Sequence, residues 1–153
     1  DVERLYEFRA ALDQIFSTDL AEGATVTAGN VRGGSATYGP EQVLDGDLDS
    51  YWATDDGVAT STLELQFAEP TTFNVIRMQE PVTFGQRIAA YHVEAWKDGA
   101  WQTISSGTTI GHKKLDRIEP VTTQRVRLVI DEALANPLIA EFGLHHDPYA
   151  MAP

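Results

Sequence analysis

Cysteine is absent from all 153 residues, which removes any disulfide frame, thiol nucleophile or thiolate metal site and leaves the redox compartment open. Basic residues are scarce. Eleven Lys and Arg stand against 23 Asp and Glu, giving a formal charge of −12. Such a chain repels a phosphate backbone or an anionic membrane surface, and no Lys/Arg cluster interleaved with aromatics offsets the balance. The charge therefore argues against nucleic acid and membrane as partners. No apolar run approaches the ~20 residues that span a bilayer. Asp1 brings neither a Met nor a basic, apolar leader, which reads as a processed or excised piece. The length fits one well-buried domain better than two.

Two textures are present. Leu5, Phe8, Leu12, Ile15 and Phe16 recur at helical spacing, with Glu3, Arg4, Glu7, Arg9 and Asp13 mostly on the other face. This predicts an amphipathic helix of about four turns that ends near Ser17 to Asp19, where poor helix formers cluster. Beyond it Thr, Val, Gly and short alternating runs take over, as in an all-β domain. The expected strands are 25–28, 62–67, 73–79, 89–96, 101–105, 113–117, 124–130 and 138–144, separated by Gly, Pro and Asp turns. About eight such strands suggest a sandwich or jelly roll. Asp98-Gly99 between Trp96 and Trp101 predicts a tight hairpin, with the two indoles paired as sheet-face packing rather than as a ligand platform. Arg125 and Arg127 alternate with Val126 and Leu128, the pattern of a strand with one solvated face. The Gly-rich segment 29–35 lacks Gly-x-Gly-x-x-Gly and a following helix, so it reads as a loop and not a phosphate cradle.

The most specific local pattern is Leu44-Asp45-Gly46-Asp47-Leu48-Asp49-Ser50-Tyr51-Trp52-Ala53-Thr54-Asp55-Asp56. Asp45, Asp47 and Ser50 are spaced to offer one loop's hard oxygens to a calcium ion. Glu141 interrupts an apolar terminal run, and a buried carboxylate needs a partner, which a calcium ion would supply. An Asx turn without metal explains the loop equally well. An EF-hand does not: Ser50 stands where Gly is required, Asp56 replaces the final Glu, and no helices flank the loop. His145 and His146 read as a solvated tail. His92 and His112 have no Ser or Cys nucleophile in a recognisable arrangement. Asp55 and Asp56, adjacent in sequence, cannot straddle a glycosidic bond without a cleft.

Residues 42–52, together with Ile139-Ala140-Glu141-Phe142-Gly143-Leu144, resemble the factor five/eight type C (discoidin-like) domains, which include the carbohydrate-binding modules of family 32. Phe73-Asn74-Val75-Ile76-Arg77-Met78-Gln79-Glu80, Gly85-Gln86-Arg87-Ile88, Val93-Glu94-Ala95-Trp96 and Gly107-Thr108-Thr109-Ile110-Gly111-His112-Lys113 are similar to the C-terminal β-sandwich of bacterial α-L-fucosidases of glycoside hydrolase family 29. The resemblance implies a discoidin-like jelly-roll β-sandwich over residues 20–146. A linker helix over 1–19, coming from a catalytic barrel outside this chain, would precede it, and a tail over 147–153 would follow. It further implies a structural calcium held by side-chain or carbonyl oxygens of Asp45, Asp47, Ser50 and Glu141 and by backbone carbonyls of Gln42 and Ala140. Loops near the ion would bind a sugar, and Tyr38, Asp55, Asp56, Glu80, Phe84, Gln86 and Arg87 are the candidates. Ala53 follows Trp52 where some members carry a sugar-binding His, a departure from a galactose-type site.

The expected function is that of a non-catalytic accessory module. It would weakly bind fucose, galactose or N-acetylgalactosamine at glycan ends and keep its own catalytic domain near substrate. Secretion or a bacterial periplasm is the expected setting. The alternative is a structural domain that packs on the barrel and has no ligand of its own. A lipid-binding role, as in the coagulation-factor relatives, conflicts with the acidic balance.

Overall fold

The computed structural model describes residues 2–148, and the side chains of Phe8, Ala11, Leu12 and Gln14 lie outside the described set. Helix α1 (Val2–Ser17) leads into strands β1 (Thr25–Ala28), β2 (Trp52–Ala53), β3 (Ser61–Gln79), β4 (Ile88–Lys97), β5 (Ala100–Gly107), β6 (Lys114–Ala133), β7 (Leu138–Ile139) and β8 (Glu141–His145). The strands run antiparallel in the order β1-β3-β6-β4-β5, with β8 also paired to β3 and a small separate β2-β7 ladder. The all-β sandwich expected from the sequence is what forms.

Its strand divisions differ from expectation in three places. Segments 62–67 and 73–79 are one strand, β3, and 113–117 and 124–130 are one strand, β6. Residues 61–66 of β3 pair with 125–130 of β6, while 75–78 pair with 114–117, across register shifts after Gln66 and Phe73. The two parts of β3 thus have different outer neighbours, β1 beside residues 63–66 and β8 beside residues 75–79. Pro70 and Pro120 suggested turns, but each falls in a gap of the register, where the missing N–H costs the ladder nothing. In the opposite sense, 138–144 divides at Ala140. β7 pairs with β2, whereas β8 pairs with residues 75–79 of β3. β2, only two residues long, had no signature of its own.

Alternation decides what is buried. Leu63 and Leu65 of β3, Tyr91 and Val93 of β4, and Val126 and Leu128 of β6 face inward onto Trp52, Phe73, Ile76, Met78, Phe142 and Leu144 in one core. Outward-facing Arg125 pairs with Glu64 at 3.0 Å and Arg127 with Glu94 at 2.7 Å. The predicted hairpin is present, with positive φ at Asp98 (53°) and Gly99 (78°) and Trp96 opposite Trp101. The indoles meet edge to face with centroids 5.4 Å apart, and the Arg127 guanidinium carbon lies 4.1 Å from the Trp101 ring. The pair packs on the sheet face; its rings are perpendicular to one another and filled in by arginine.

α1 ends where the sequence predicted and is anchored at that end. Ile15 is buried, whereas Val2, Leu5 and Tyr6 are exposed; the expected apolar positions Phe8 and Leu12 lie outside the described side chains. Leu20 donates to the Leu144 carbonyl at 2.7 Å and Leu144 donates to Asp19 Oδ1 at 3.0 Å, so the segment after α1 seals the edge of β8. His145 corrects the expected tail. It closes β8, is fully buried, donates Nδ1–H to the Thr18 carbonyl at 2.7 Å and meets the Phe16 ring edge-on. Packing continues to Asp147, whose amide donates to Asn74 and whose carboxylate meets Arg117 at 2.9 Å. Asp147, expected to open a tail, is thus part of the packed domain.

Candidate functional site

The loops at one end of the sandwich are tied together by backbone-directed side chains. Asn30 accepts the Asp55 amide on Oδ1 (2.8 Å) and donates Nδ2 to Asp55 Oδ2 (3.2 Å). Asp55 Oδ1 takes the Gly33 amide at 2.7 Å, and buried Trp52 donates Nε1–H to the Asn30 carbonyl at 2.9 Å. Gly33 and Gly34, at φ near +60°, supply the left-handed turns that carry Arg32 over this bracket. Arg32 then reaches Asp56 at 2.6 Å. That hydrogen bond first, and the guanidinium's charge second, hold the Asp56 carboxyl below the usual carboxylate range.

The opposite wall comes from the segment between β3 and β4. Glu80, almost wholly buried, accepts amides of Arg87 (2.8 Å) and Ile88 (3.1 Å) on Oε1 and of Gly111 (2.8 Å) on Oε2. This closes the loop that presents Phe84 and Arg87. Arg87 Nη1 donates to the Asn136 carbonyl (3.0 Å) and Oδ1 (2.9 Å), and Asn136 donates in turn to the Thr54 carbonyl (3.0 Å). Between the walls Tyr38, Tyr51 and Phe84 form a row, with ring centroids 5.7 Å and 5.4 Å apart. These groups, with Arg32, Ala53, Asp56, Arg87, Asn136 and Leu138, enclose a cavity of about 380 Å³ open to solvent.

Of the seven expected sugar residues, Tyr38, Asp56, Phe84 and Arg87 line this cavity. Asp55 and Glu80 do not; their oxygens are taken by the loop amides they organise. Gln86 is exposed but outside the lining. The sequence reading missed Arg32, Tyr51 and Asn136. Tyr51 had a signal in its place beside Trp52, whereas Arg32 sat in a stretch read only as loop. The row of aromatic surface beside two guanidiniums, a carboxylate and an amide suits a ligand with one apolar face and several hydroxyls. With Asp55 consumed by structure, the pair Asp55 and Asp56 offers no two free carboxylates for hydrolysis.

The expected metal loop lies elsewhere. Asp45 Oδ1 accepts the Asp47 amide and Asp47 Oδ1 the Asp49 amide, both at 2.9 Å, which are the Asx turns that the sequence allowed as the metal-free alternative. Ser50 Oγ is hydrogen-bonded to Asp45 Oδ2 and lies 3.1 Å from the Asp47 carbonyl. Gln42 turns its side chain to the Ala36 carbonyl, and the Ala140 amide donates to Gln79. Asp45 and Glu141 line one cavity of about 320 Å³ with Asp19, Glu22 and Arg77. Desolvation first, with the charges of Asp19 and Asp45 adding to it, pushes the Glu141 carboxyl above its usual range, while Arg77, 3.0 Å away, opposes the shift. The donor chemistry of Asp45, Ser50 and Glu141 suits a hard cation. Even so, among the described residues no group of three or more His, Cys, Asp or Glu is placed to hold one.

Comparison with known proteins gives a consistent picture. The model of the F5/8 type C domain matches residues 25–142. α-L-Fucosidase 1 of Arabidopsis thaliana is 39% identical over 98% of this chain, which spans only 30% of that protein's length. The glycoside hydrolase family 29 fucosidase E1_10125 of Ruminococcus gnavus, solved in complex with fucose, superposes with a TM-score of 0.90 at 31% identity, over 99% of this chain and 31% of that one. A chitosan-binding module from a Paenibacillus chitosanase/glucanase shares the fold at 19% identity and a TM-score of 0.73, and there the match covers 98% of that chain and 83% of this one.

Proposed function

Since this chain belongs to the F5/8 type C domain family, we propose that it is a non-catalytic carbohydrate-binding module that serves a fucosidase-like glycoside hydrolase. The observation that carries the reading is the cavity where Tyr38, Tyr51 and Phe84 adjoin Arg32, Asp56 and Arg87. Aromatic rings accept the C–H face of a pyranose, and the guanidinium, carboxylate and amide groups exchange hydrogen bonds with its hydroxyls. At about 380 Å³ the cavity is near the small end of ligand pockets, a size for one terminal sugar such as fucose, galactose or N-acetylgalactosamine. An open site with little buried area binds weakly. Tethering makes such binding useful, because it raises the effective concentration of an attached catalytic domain at its substrate.

The test is affinity for immobilised glycans ending in these sugars. Wild type should be retained, and Tyr51→Ala should lose retention with its melting temperature nearly unchanged, because Tyr51 is only partly buried. Equal retention of both proteins would remove the cavity from the account.

A second reading has its own support. Val2, Leu5 and Tyr6 leave an apolar stripe of α1 exposed, which suits a structural domain that docks on the preceding part of a longer protein. For calcium, the oxygens that suit it are Asp45, Ser50 and the Asp47 carbonyl, with Glu141 across the cavity. An ion there would do no chemistry, and it would meet the Arg77 guanidinium already 3.0 Å from Glu141.

A further inference from the structure

Arg77 places its guanidinium against the buried Glu141 carboxylate. Arg77 on β3 stands opposite Gly143 on β8, and Gln79 stands opposite Glu141. Residues 77 and 141 are therefore diagonal neighbours on one face of the sheet, within reach of a long side chain. The Arg77 Nη2 to Glu141 Oε2 distance is 3.0 Å, with the Glu141 side chain 7% exposed. Asp19, from the segment after α1, brings Oδ2 to 3.8 Å from the same Nη2. Gly143 makes this convergence possible. A Cβ there would lie 2.9 Å from Asp19 Oδ2 and 3.3 Å from Arg77 Nη2.

A carboxylate this buried stays ionised only beside a cation and otherwise takes up a proton, and removing the partner of such a pair is far more costly than never having had the pair. The loop that would carry calcium is meanwhile closed by its own Asx turns and the Ser50 to Asp45 hydrogen bond. We propose that Arg77 is the resident counter-cation of Glu141: the sandwich reaches full stability without calcium, and calcium gains Glu141 as a ligand only by displacing the guanidinium. Arg77 thus sets how strongly this site responds to calcium. The proposal does not rest on the sugar site and stands or falls separately from it.

The experiment compares thermal unfolding of wild type, Arg77→Gln and Arg77→Lys in chelator and in excess calcium, with isothermal titration of calcium alone into each protein. Wild type should melt within about 1 °C in the two conditions, since a ligand that binds weakly to the folded state barely shifts it. Arg77→Gln should melt lower in chelator, recover by about 5 °C or more with calcium, and bind calcium about tenfold more tightly than wild type. Arg77→Lys keeps a cation at the position, so it should stay insensitive to calcium and serves as the control if Arg77→Gln folds poorly. Two results would overturn the proposal: a wild-type melting temperature that falls in chelator as far as that of Arg77→Gln, or a calcium response unchanged by the loss of the guanidinium.

Discussion

Glu80→Gln removes one charge from the interior and changes almost no volume, which makes it a sharp probe of how the candidate site is held. Glu80 is 3% exposed and its two oxygens accept three backbone amides at 2.8–3.1 Å. A glutamine has one acceptor oxygen. If it stays with Arg87 and Ile88, the new amino group faces the Gly111 N–H, donor against donor. Hydrogen bonds to a charged acceptor contribute about 1.5–3 kcal/mol each, and a buried donor left unpaired costs about 1–3 kcal/mol. Losing one bond and weakening two gives a destabilisation of about 3 kcal/mol, a large share of a domain's usual about 5–15 kcal/mol. For a chain of this size that corresponds to a drop in melting temperature of about 6–12 °C. Urea unfolding followed by tryptophan fluorescence reads it directly, as a lower midpoint with an unchanged slope. The same change should loosen the segment that presents Phe84 and Arg87, so sugar affinity should fall even where the protein is fully folded. A loss under about 1 kcal/mol would refute the reasoning, since three short contacts to one buried carboxylate would then carry almost no energy.

Two further outcomes follow from the junction between α1 and the sheet. Burial, the largest effect on His145, lowers its pKa from 6.5 despite the Thr18 carbonyl, so protonation favours the unfolded chain. The stabilising contribution of neutral His145 is therefore complete above about pH 6.5, declines as pH falls through that unfolded value and is lost below the folded one. Denaturation midpoints from pH 8 to pH 5 should show this decline, and His145→Gln should flatten it; an unchanged slope would contradict the assignment. Gly143→Ala should destabilise by about 1–3 kcal/mol, because its Cβ would press on an Asp19 carboxylate pinned by the Ala21 and Leu144 amides. Hydrogen exchange at the Leu20 amide should quicken in that variant, and wild-type protection there would count against the close approach.

How much of this was legible depended on whether a residue's task was local. α1, the Asp98-Gly99 hairpin and the alternation around Arg125 to Leu128 are written in nearest-neighbour patterns, and all three form as read. β3 and β6 were each divided in the reading because Pro70 and Pro120 look like breakers, whereas only pairing across the sheet reveals that both fall in register gaps. The aromatic and charged loop residues were recognisable as a set, yet Glu80 and Asp55 have the same chemistry as a sugar ligand and differ only in which way they face. Glu141 was singled out as a carboxylate in need of a partner, with calcium offered for that place, and it is buried. Arg77, 64 positions earlier in the chain, becomes its partner only through the β3 to β8 register. Arg32 was hidden for a related reason, since its part in the site shows only through its contact with Asp56, 24 positions later in the chain.

The central claim is that the cavity between the Gly-rich loop and the Phe84 segment binds a sugar. It is tested most directly by an amide chemical-shift titration with fucose, galactose and N-acetylgalactosamine. The account predicts shifts at millimolar sugar confined to Tyr38, Tyr51, Asp56, Phe84, Arg87 and Asn136, the residues around one cavity. No shift with any of the three sugars, or shifts centred on the Trp96 and Trp101 face instead, would contradict it.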